Sequence, residues 1–402
     1  MAIGSRPPPP QFWPKLRRVL GGQTGWGGVL GQLVLVAFVV WLGYEIVANA
    51  RANMQAQRIA SGFGFLSQTA GFGVSQALIP YSESDSYTRV FVVGLLNTLL
   101  VSAIGVALAT VIGFAIGLGR LSPNWLLARL AGAYVEIVRN LPLLFQLLFW
   151  YLAVLATLPN PRQSITLLGW VFLNNRGFVV AEPVAHASFW PVALALGIGV
   201  GIAFAAHALA RKALFDNGRV LRIWPVVLGS LVGLPLVVAL ALGAPLSFEA
   251  PVLKGFNFVG GLRIIPEFVA LTLALSIYTA AFIAEIVRAG ILAVNRGQME
   301  AGSSLGLSCG ATLRLIVVPQ ALRVILPPLT NQYLNLTKNS SLAVAVGYPD
   351  LFSVFAGTTL SQTGQAVEII VITMGVYLLI SLITSAAMSF YGWRVGMGLG
   401  AT

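Results

Sequence analysis

The sequence is dominated by apolar runs of about 20 residues, the length that a helix needs to cross the hydrocarbon core of a bilayer. Of its 402 residues, 57% are hydrophobic and only 9% are charged, whereas soluble domains carry roughly 25% charged residues. Every backbone polar group must be satisfied inside lipid, so runs of this length predict helices rather than barrel strands of about 10 residues. We therefore expect an all-α, polytopic membrane protein.

The first of the apolar runs follows a basic, proline-rich lead and has two interpretations. It could be an anchor, or a cleaved signal peptide, because Ala48-Asn49-Ala50 resembles a cleavage site. The run is longer than the core of a signal peptide, roughly 7–15 residues, and begins late, which favours an anchor. In all, eight spans are predicted, at about 29–48, 89–118, 130–158, 189–210, 223–244, 266–287, 321–346 and 367–390.

The distribution of Lys and Arg predicts the orientation of these spans. If the spans alternate from a cytoplasmic N-terminus, the inside loops carry fifteen of the 24 basic residues and the outside loops seven. The other two, Arg139 and Lys338, lie within spans. Because cytoplasmic loops are enriched in Lys and Arg, both termini are expected in the cytoplasm. The net charge of +12 thus follows from topology, and the sequence has no basic stripe interleaved with aromatics for nucleic acid.

Several classes of chemistry lack the residues that they need. The single cysteine, Cys309, cannot form an internal disulfide or a multi-cysteine metal site. His186 and His207 are too far apart for a metal pair, and no H-E-x-x-H or paired-Asp motif is present. None of the four lysines follows a phosphate-binding G-x-x-x-x-G pattern. We therefore expect no catalytic residues, no metal and no cofactor on this chain, and no ATP hydrolysis by it.

The most informative polar segment is the loop 289–320, between the sixth and seventh spans. Its sequence predicts a short helix from Glu300 to Leu305 and a sharp turn at Gly306, because glycine readily adopts positive φ. A second short helix is expected from about Ala311 to Pro319, which disfavours helix at the residue before it. A helix–Gly–helix element on the cytoplasmic side is suited to docking, although an ordinary amphipathic connector is the alternative.

This loop resembles the EAA loop of ABC importer permeases. The family pattern has Ala at its third position and usually Leu before the proline, where this chain has Gly302 and Val318. In that family the loop forms a coupling helix that sits in a groove of a cytoplasmic ATPase. The resemblance therefore implies that the following residues couple this chain to an ATPase: Glu300, Ala301, Gly302, Gly306, Ile316 and Pro319.

Other segments are similar to the polar amino-acid (histidine/glutamine-type) permeases. These segments are 136–146, 284–298 and 328–342. The resemblance implies the five-helix core of a type I ABC importer, with extra helices as in the larger permease subunits of general L-amino-acid transporters. The expected divisions are 1–28, a cytoplasmic lead; 29–88, an extra helix and periplasmic loop; 89–158, core helices 1–2; 159–265, an insertion with two extra helices; 266–392, core helices 3–5; and 393–402, a tail.

Membership of that family implies a transporter assembled from several polypeptides in the bacterial inner membrane. The expected partners are ATPase subunits that use ATP and Mg, a periplasmic amino-acid-binding protein and a second permease subunit. The insertion favours a non-identical second subunit, with a homodimer left open. A self-contained secondary transporter or channel would need paired intramembrane carboxylates, and a membrane-embedded enzyme would need a catalytic cluster. The sequence shows neither.

Polar residues within two spans are the candidates for the substrate pathway. Inside lipid such residues are costly and usually face a partner or a wet cavity. In the seventh span, where Pro327-Pro328 predicts a break or kink, a structural seam between helices is the alternative to a pathway. An Asn at 339 replaces the Asp of many relatives, which favours a broad or neutral preference over cationic side chains. The candidates in this span are Asn331, Gln332, Asn335, Lys338, Asn339 and Ser340.

The third span adds three further candidates, Glu136, Arg139 and Gln146. Glu136 and Arg139 are three residues apart, so on a helix they can pair across one turn. A structural ion pair is the first interpretation of that spacing, and a gate or pathway lining is the second.

Overall fold

The computed structural model describes residues 26–56, 61–167, 169–185, 189–217, 221–243 and 246–394. Most of the predicted lead at 1–28 and of the tail at 393–402 lies outside these residues, as does His186. The helices are α1 Trp26–Ala56, α2 Tyr87–Gly119, α3 Trp125–Asn140, α4 Leu143–Leu148, α5 Trp190–Asn217, α6 Trp224–Leu228, α7 Leu234–Ala241, α8 Pro266–Leu292, α9 Arg296–Ser304, α10 Cys309–Thr312, α11 Val318–Asn339, α12 Leu360–Thr363 and α13 Ala366–Arg394.

The helices account for the predicted spans. Among the described residues, seven helices are long and apolar enough to cross a membrane, and a bent pair makes an eighth. The prediction of about eight spans in a helical membrane fold is therefore confirmed. Helix α1 is exposed over most of its length. A helix surrounded by lipid can be so, because exposing apolar side chains to lipid tails costs little free energy.

The third predicted span is not one straight helix. Helix α3 and the segment that begins with α4 and continues as a π-helix, Phe149–Leu155, meet at an angle of 106°. The break falls at Leu141-Pro142, where proline disfavours helix at the preceding residue. Gln146 closes the bend, because its amide nitrogen donates to the carbonyl oxygens of Val138 and Leu141 at 2.9 and 3.0 Å. The span predicted at 130–158 is therefore a bent pair of helical segments.

Helices α2, α8 and α11 form the centre of the molecule. Gly113 and Gly117 on α2 lie against Ile283 and Val287 on α8, so the two helices run parallel. A Cβ atom built at Gly113 would lie 2.6 Å from the Ile283 side chain, which shows that only glycine permits this approach. Helix α11 runs in the opposite direction. Ile325, in the first half of α11, packs on Gly290, near the C-terminal end of α8.

Helix α11 is longer than its prolines predicted. Pro319 lies in its first turn, where a missing N–H costs nothing, so the prediction that Pro319 ends a helix was wrong. Pro327 and Pro328 lie inside the helix and do not interrupt it. Of the two predicted outcomes, the break was therefore wrong, and the kink stays a prediction. The helix instead ends at Asn339, and a 3-10 segment, Ser340–Ala345, follows it.

The insertion contains strands that the sequence analysis did not predict. An antiparallel four-stranded sheet has the order β1-β2-β3-β8, and β4-β5 and β6-β7 form two-stranded pairs. The strands are β1 Ile165–Leu167, β2 Val171–Asn174, β3 Gly177–Val180, β4 Glu182–Ala185, β5 Leu246–Glu249, β6 Val252–Lys254, β7 Asn257–Val259 and β8 Leu262–Ile264. Strand β8 leads directly into α8, so the sheet lies at the N-terminal end of α8, opposite the loop that contains α9.

We predict that the α2–α8 contact sets the stability of the bundle. In Gly113→Ala the added methyl group would displace Ile283, and such overpacking costs about 1–3 kcal/mol. The matched control is Gly375→Ala, because a Cβ atom built on Gly375 of α13 has no neighbour within 4 Å. Thermal melting in detergent should show a lower melting temperature for Gly113→Ala only. Equal melting of the two variants would contradict the packing described.

Candidate functional site

The loop between α8 and α11 folds as the expected helix–Gly–helix element. Asn295 caps α9 by accepting a hydrogen bond from the amide of Gly297 at 2.9 Å. At the other end, the amide of Gly306 donates to the carbonyl of Ser303 at 3.0 Å, and that of Leu307 to Gly302 at 3.1 Å. This pair of bonds is a Schellman motif, which requires a left-handed residue after the cap. Gly306 has φ +75°, so the predicted sharp turn is confirmed.

Close packing against the next helix explains why position 302 is glycine. A Cβ atom built on Gly302 would lie 2.7 Å from Cγ2 of Thr312 and 3.3 Å from Cδ1 of Ile316. Thr312 is buried and belongs to α10, which the Schellman turn folds back against α9. The departure from Ala at this position therefore allows α9 and the following helix to pack closely. Ile316 contributes to the same contact.

The outer face of α9 is exposed. The side chains of Glu300 and Ala301 are exposed, as are the apolar side chains of Met299 and Leu305. Within the described part of the chain, Glu300 forms no ion pair. Leu305 is 78% exposed at the tip of the loop, which is unusual for a large apolar side chain in a tightly capped turn. Pro319 is also exposed, at the start of α11.

A polar face on α11 carries three of the predicted pathway residues. Asn331, Asn335 and Lys338 are exposed and are spaced four and three residues apart, so they lie on one side of the helix. Gln332 and Asn339 are half-buried beside them. On the opposite side, Leu329 and Leu336 are buried in the core, and the hydroxyl of Tyr333 bonds that of Thr110 on α2 at 2.8 Å.

Ser340 does not share this polar face. It is fully buried, and its hydroxyl donates to the carbonyl oxygen of Thr337 at 2.7 Å. Lys338, in contrast, lies at the edge of a largely apolar cavity of about 430 Å³ between α11 and α13. Its ammonium group has no hydrogen bond or ion pair within the described part of the chain. Lys338 is therefore available to a ligand or to another subunit.

Glu136 and Arg139 are placed together but do not form the predicted ion pair. The described residues contain two ion pairs, and both use Glu285. The guanidinium of Arg139 instead stacks on the ring of Phe282 at 5.1 Å. Glu136 and Arg139 line a cavity of about 360 Å³ with Glu285, so the structure brings these two candidates to a shared polar cavity. Gln146 is not in that group, since it closes the bend after α3.

Glu285 joins two elements at the end of the bundle that leads to α9. It accepts hydrogen bonds from Arg120, at the end of α2, and from Arg288, one turn along α8 at 2.8 Å. The i,i+3 spacing of Glu285 and Arg288 is visible in the sequence. The contact with Arg120 is not visible there, because it joins residues that are 165 positions apart.

A buried polar network also escaped the sequence analysis. Asn97, inside an apolar run, donates to the carbonyl oxygens of Gln76 and Pro349, both at 2.8 Å. Nearby Asp350, which lies between two candidate spans, accepts from the amide of Ser353 at 2.8 Å. Burial raises the pKa of the Asp350 carboxyl to about 6. An asparagine within an apolar run is the only sequence signal for this network.

Comparisons with known proteins agree with this geometry. Residues 195–395 match the family "Binding-protein-dependent transport system inner membrane component". YhdX of Escherichia coli, by name an amino-acid ABC transporter permease, is 50% identical over 92% of this chain and 93% of its own. The general L-amino acid transport system permease protein AapQ of Rhizobium johnstonii is 47% identical over 92% of this chain and 91% of its own.

A further relative is named for its substrates. It is the glutamate/glutamine/aspartate/asparagine transport system permease protein BztB of Rhodobacter capsulatus, 39% identical over 89% of this chain and 90% of its own. The fold is a polytopic helical bundle with an exposed capped loop and a polar helix face, and the three relatives are all named as transport permeases. The chain belongs to the permease subunits of amino-acid ABC transporters, inner-membrane components that do not themselves hydrolyse ATP.

We predict that the backbone of Gly306 controls the stability of the turn after α9. In Gly306→Ala a side chain would be forced into left-handed backbone, which costs about 1–2 kcal/mol. The control is Gly310→Ala, because Gly310 is helical and has nothing within 4 Å of a built Cβ. Amide hydrogen exchange at 306 and 307 should accelerate by about 5–30-fold in the first variant only. Equal exchange rates in both variants would refute the Schellman assignment.

Proposed function

We propose that this chain moves L-amino acids from periplasm to cytoplasm, with residues 296–319 transmitting the work of a separate ATPase that binds ATP and Mg. The observation that carries the coupling role is the exposed face of α9, where Glu300, Met299 and Leu305 lie on a rigidly capped turn. Exposed apolar side chains grouped with a charge favour a protein interface. Gly302, Gly306, Ile316 and Pro319 would hold that face in position.

The polar face of α11 would line the substrate pathway. In a lone chain Asn331, Asn335 and Lys338 would face lipid, which is costly for polar and charged groups. A second permease subunit opposite this face would convert it into a wet pathway, because alternating access needs a polar path between two moving halves. We take that subunit to be non-identical, since the insertion enlarges one half of the pair. Gln332 and Asn339 would complete the lining.

The substrate preference would be broad or directed at polar and neutral amino acids. Two relatives are named for general L-amino-acid transport and for glutamate, glutamine, aspartate and asparagine, and these names guide the proposal. A neutral Asn339 beside Lys338 supports it, because no carboxylate adjoins the lysine to attract a cationic side chain. Glu136 and Arg139 line a polar cavity at the end of the bundle that leads to α9, and there they would act as a gate at the end of the pathway.

The proposed orientation places both termini in the cytoplasm of a bacterial cell, with α9 on the cytoplasmic side. The distribution of Lys and Arg supports it. In this orientation the strands of the insertion lie on the periplasmic side, at the other end of α8, where an amino-acid-binding protein would deliver substrate. We propose the other divisions of the chain with the bounds expected from the sequence: 1–28, 29–88, 89–158, 266–392 and 393–402.

We predict that reversing the charge on α9 releases the ATPase. Glu300→Lys should reduce the ATPase subunit that co-purifies with the chain by about tenfold, as loss of an interface hot spot does. Gly306→Pro should do the same by removing the N–H that bonds Ser303. Asp216→Lys is the control, an exposed acidic residue on the same predicted side. Retention of the ATPase by Glu300→Lys and Gly306→Pro would contradict the coupling role.

We predict that a carboxylate at position 339 changes selectivity. Asn339→Asp should raise the uptake of arginine relative to glutamine about fivefold, because a charge at about 4 Å in wet surroundings contributes about 1 kcal/mol. Asn295→Asp is the control, since it adds the same charge at a loop cap that tolerates either residue. Competitive uptake of labelled amino acids measures the ratio. An unchanged ratio in Asn339→Asp would count against the pathway assignment.

A further inference from the structure

A second polar cavity lies at the opposite end of the bundle from α9. Its volume is about 490 Å³, and it is formed between the insertion and the core. The insertion contributes Arg176 and Arg263, whereas the core contributes Tyr151 and Glu267. A cavity of this size can hold an amino acid together with ordered water. The residues assigned to coupling and to the α11 pathway do not line it.

The local fold explains why these charges meet. Arg176 lies in the two-residue turn between β2 and β3, and the glycine after it has φ +106°. A Cβ atom at Gly177 would lie 2.0 Å from the carbonyl oxygen of Ile264, so the turn packs directly on the strand that leads into α8. Arg263 is on that strand, β8, and Glu267 is in the first turn of α8.

The charged groups that line the cavity do not neutralise one another. Within the described residues, neither arginine forms an ion pair with Glu267. Glu267 accepts a hydrogen bond from the hydroxyl of Tyr151 at 3.0 Å, and one nitrogen of Arg176 donates to Asn257. Arg263 is exposed, and no hydrogen bond within the described residues uses its guanidinium. Two arginines and one carboxylate therefore line the same open volume without forming an ion pair with one another.

We propose that this cavity binds the substrate before it reaches the α11 pathway and that, within a broad overall preference, it favours acidic amino acids. The inference rests on the proposed function. Glu267 would hold the α-ammonium group, and Arg176, which already uses one nitrogen on Asn257, would hold the α-carboxylate. Arg263 would hold the side-chain carboxylate of glutamate or aspartate in the bidentate geometry that guanidinium groups prefer. An amide side chain would gain less there, and a cationic side chain would be repelled.

The test measures uptake kinetics by the intact transporter, with its ATPase and binding protein, for glutamate, glutamine and lysine. Arg263→Gln should raise the KM for glutamate by about tenfold, the effect of losing a charge-assisted hydrogen bond, and should change that for glutamine less than threefold. The matched control is Lys254→Gln, which removes an exposed charge from β6, away from the cavity. It should leave all three values unchanged.

Other outcomes separate this inference from the proposed function. An equal change in KM for glutamate and glutamine in Arg263→Gln, or no change, would overturn the selectivity of the cavity. A wild-type transporter with a KM for lysine equal to that for glutamate would also overturn it. A wild-type transporter that moves no amino acid would instead overturn the proposed function. Glu267→Gln supplies a second check, because it should weaken uptake of glutamate and glutamine alike.

Discussion

The close approach of α2 and α8 is the contact on which the other features depend. It exists because Gly113 and Gly117 present no side chain to Ile283 and Val287, so the backbones come near enough for dispersion forces to replace the hydrophobic effect that lipid cannot supply. The two helices run parallel, and α11 packs between their faces in the opposite direction. This three-helix centre fixes which side of α11 is buried and which side remains polar and open.

The same centre separates the two ends of the molecule. At one end α8 passes into α9, whose Schellman turn and Gly302–Thr312 contact make a short, stiff projection. At the other end the sheet of the insertion meets the first turn of α8, where Arg263 and Glu267 face a cavity. Helix α8 thus connects both ends. Near the end that leads to α9, the ion pair between Glu285 and Arg120 joins α8 to the end of α2.

The sequence predicted those features that depend on local pattern. Apolar length predicted the spans, and Gly306 predicted the turn, because few other residues tolerate its φ. Proline was less informative, because it is compatible with the start of a helix as well as with its end. Pro319 was expected to end a helix and Pro327 to break or kink one. In the structure Pro319 lies in the first turn of α11, and Pro327 lies inside that helix. The strands were missed because runs of three or four residues carry too little periodicity. Among the described residues Glu136 forms no ion pair, and Arg139 stacks on Phe282, a contact that joins distant parts of the chain.

The unbroken helical path from Cys309 through the π-helix Leu313–Val317 to Asn339 has a mechanical consequence. From Cys309 to Lys338 this path is roughly 40 Å long at a rise of about 1.5 Å per residue. A rigid rod of that length pivoting at its lower end moves its upper end by roughly 0.7 Å for each degree of tilt. If the path moves as one body, a rotation of only a few degrees at the Gly302–Thr312 joint shifts the ammonium group of Lys338 by about the diameter of a water molecule.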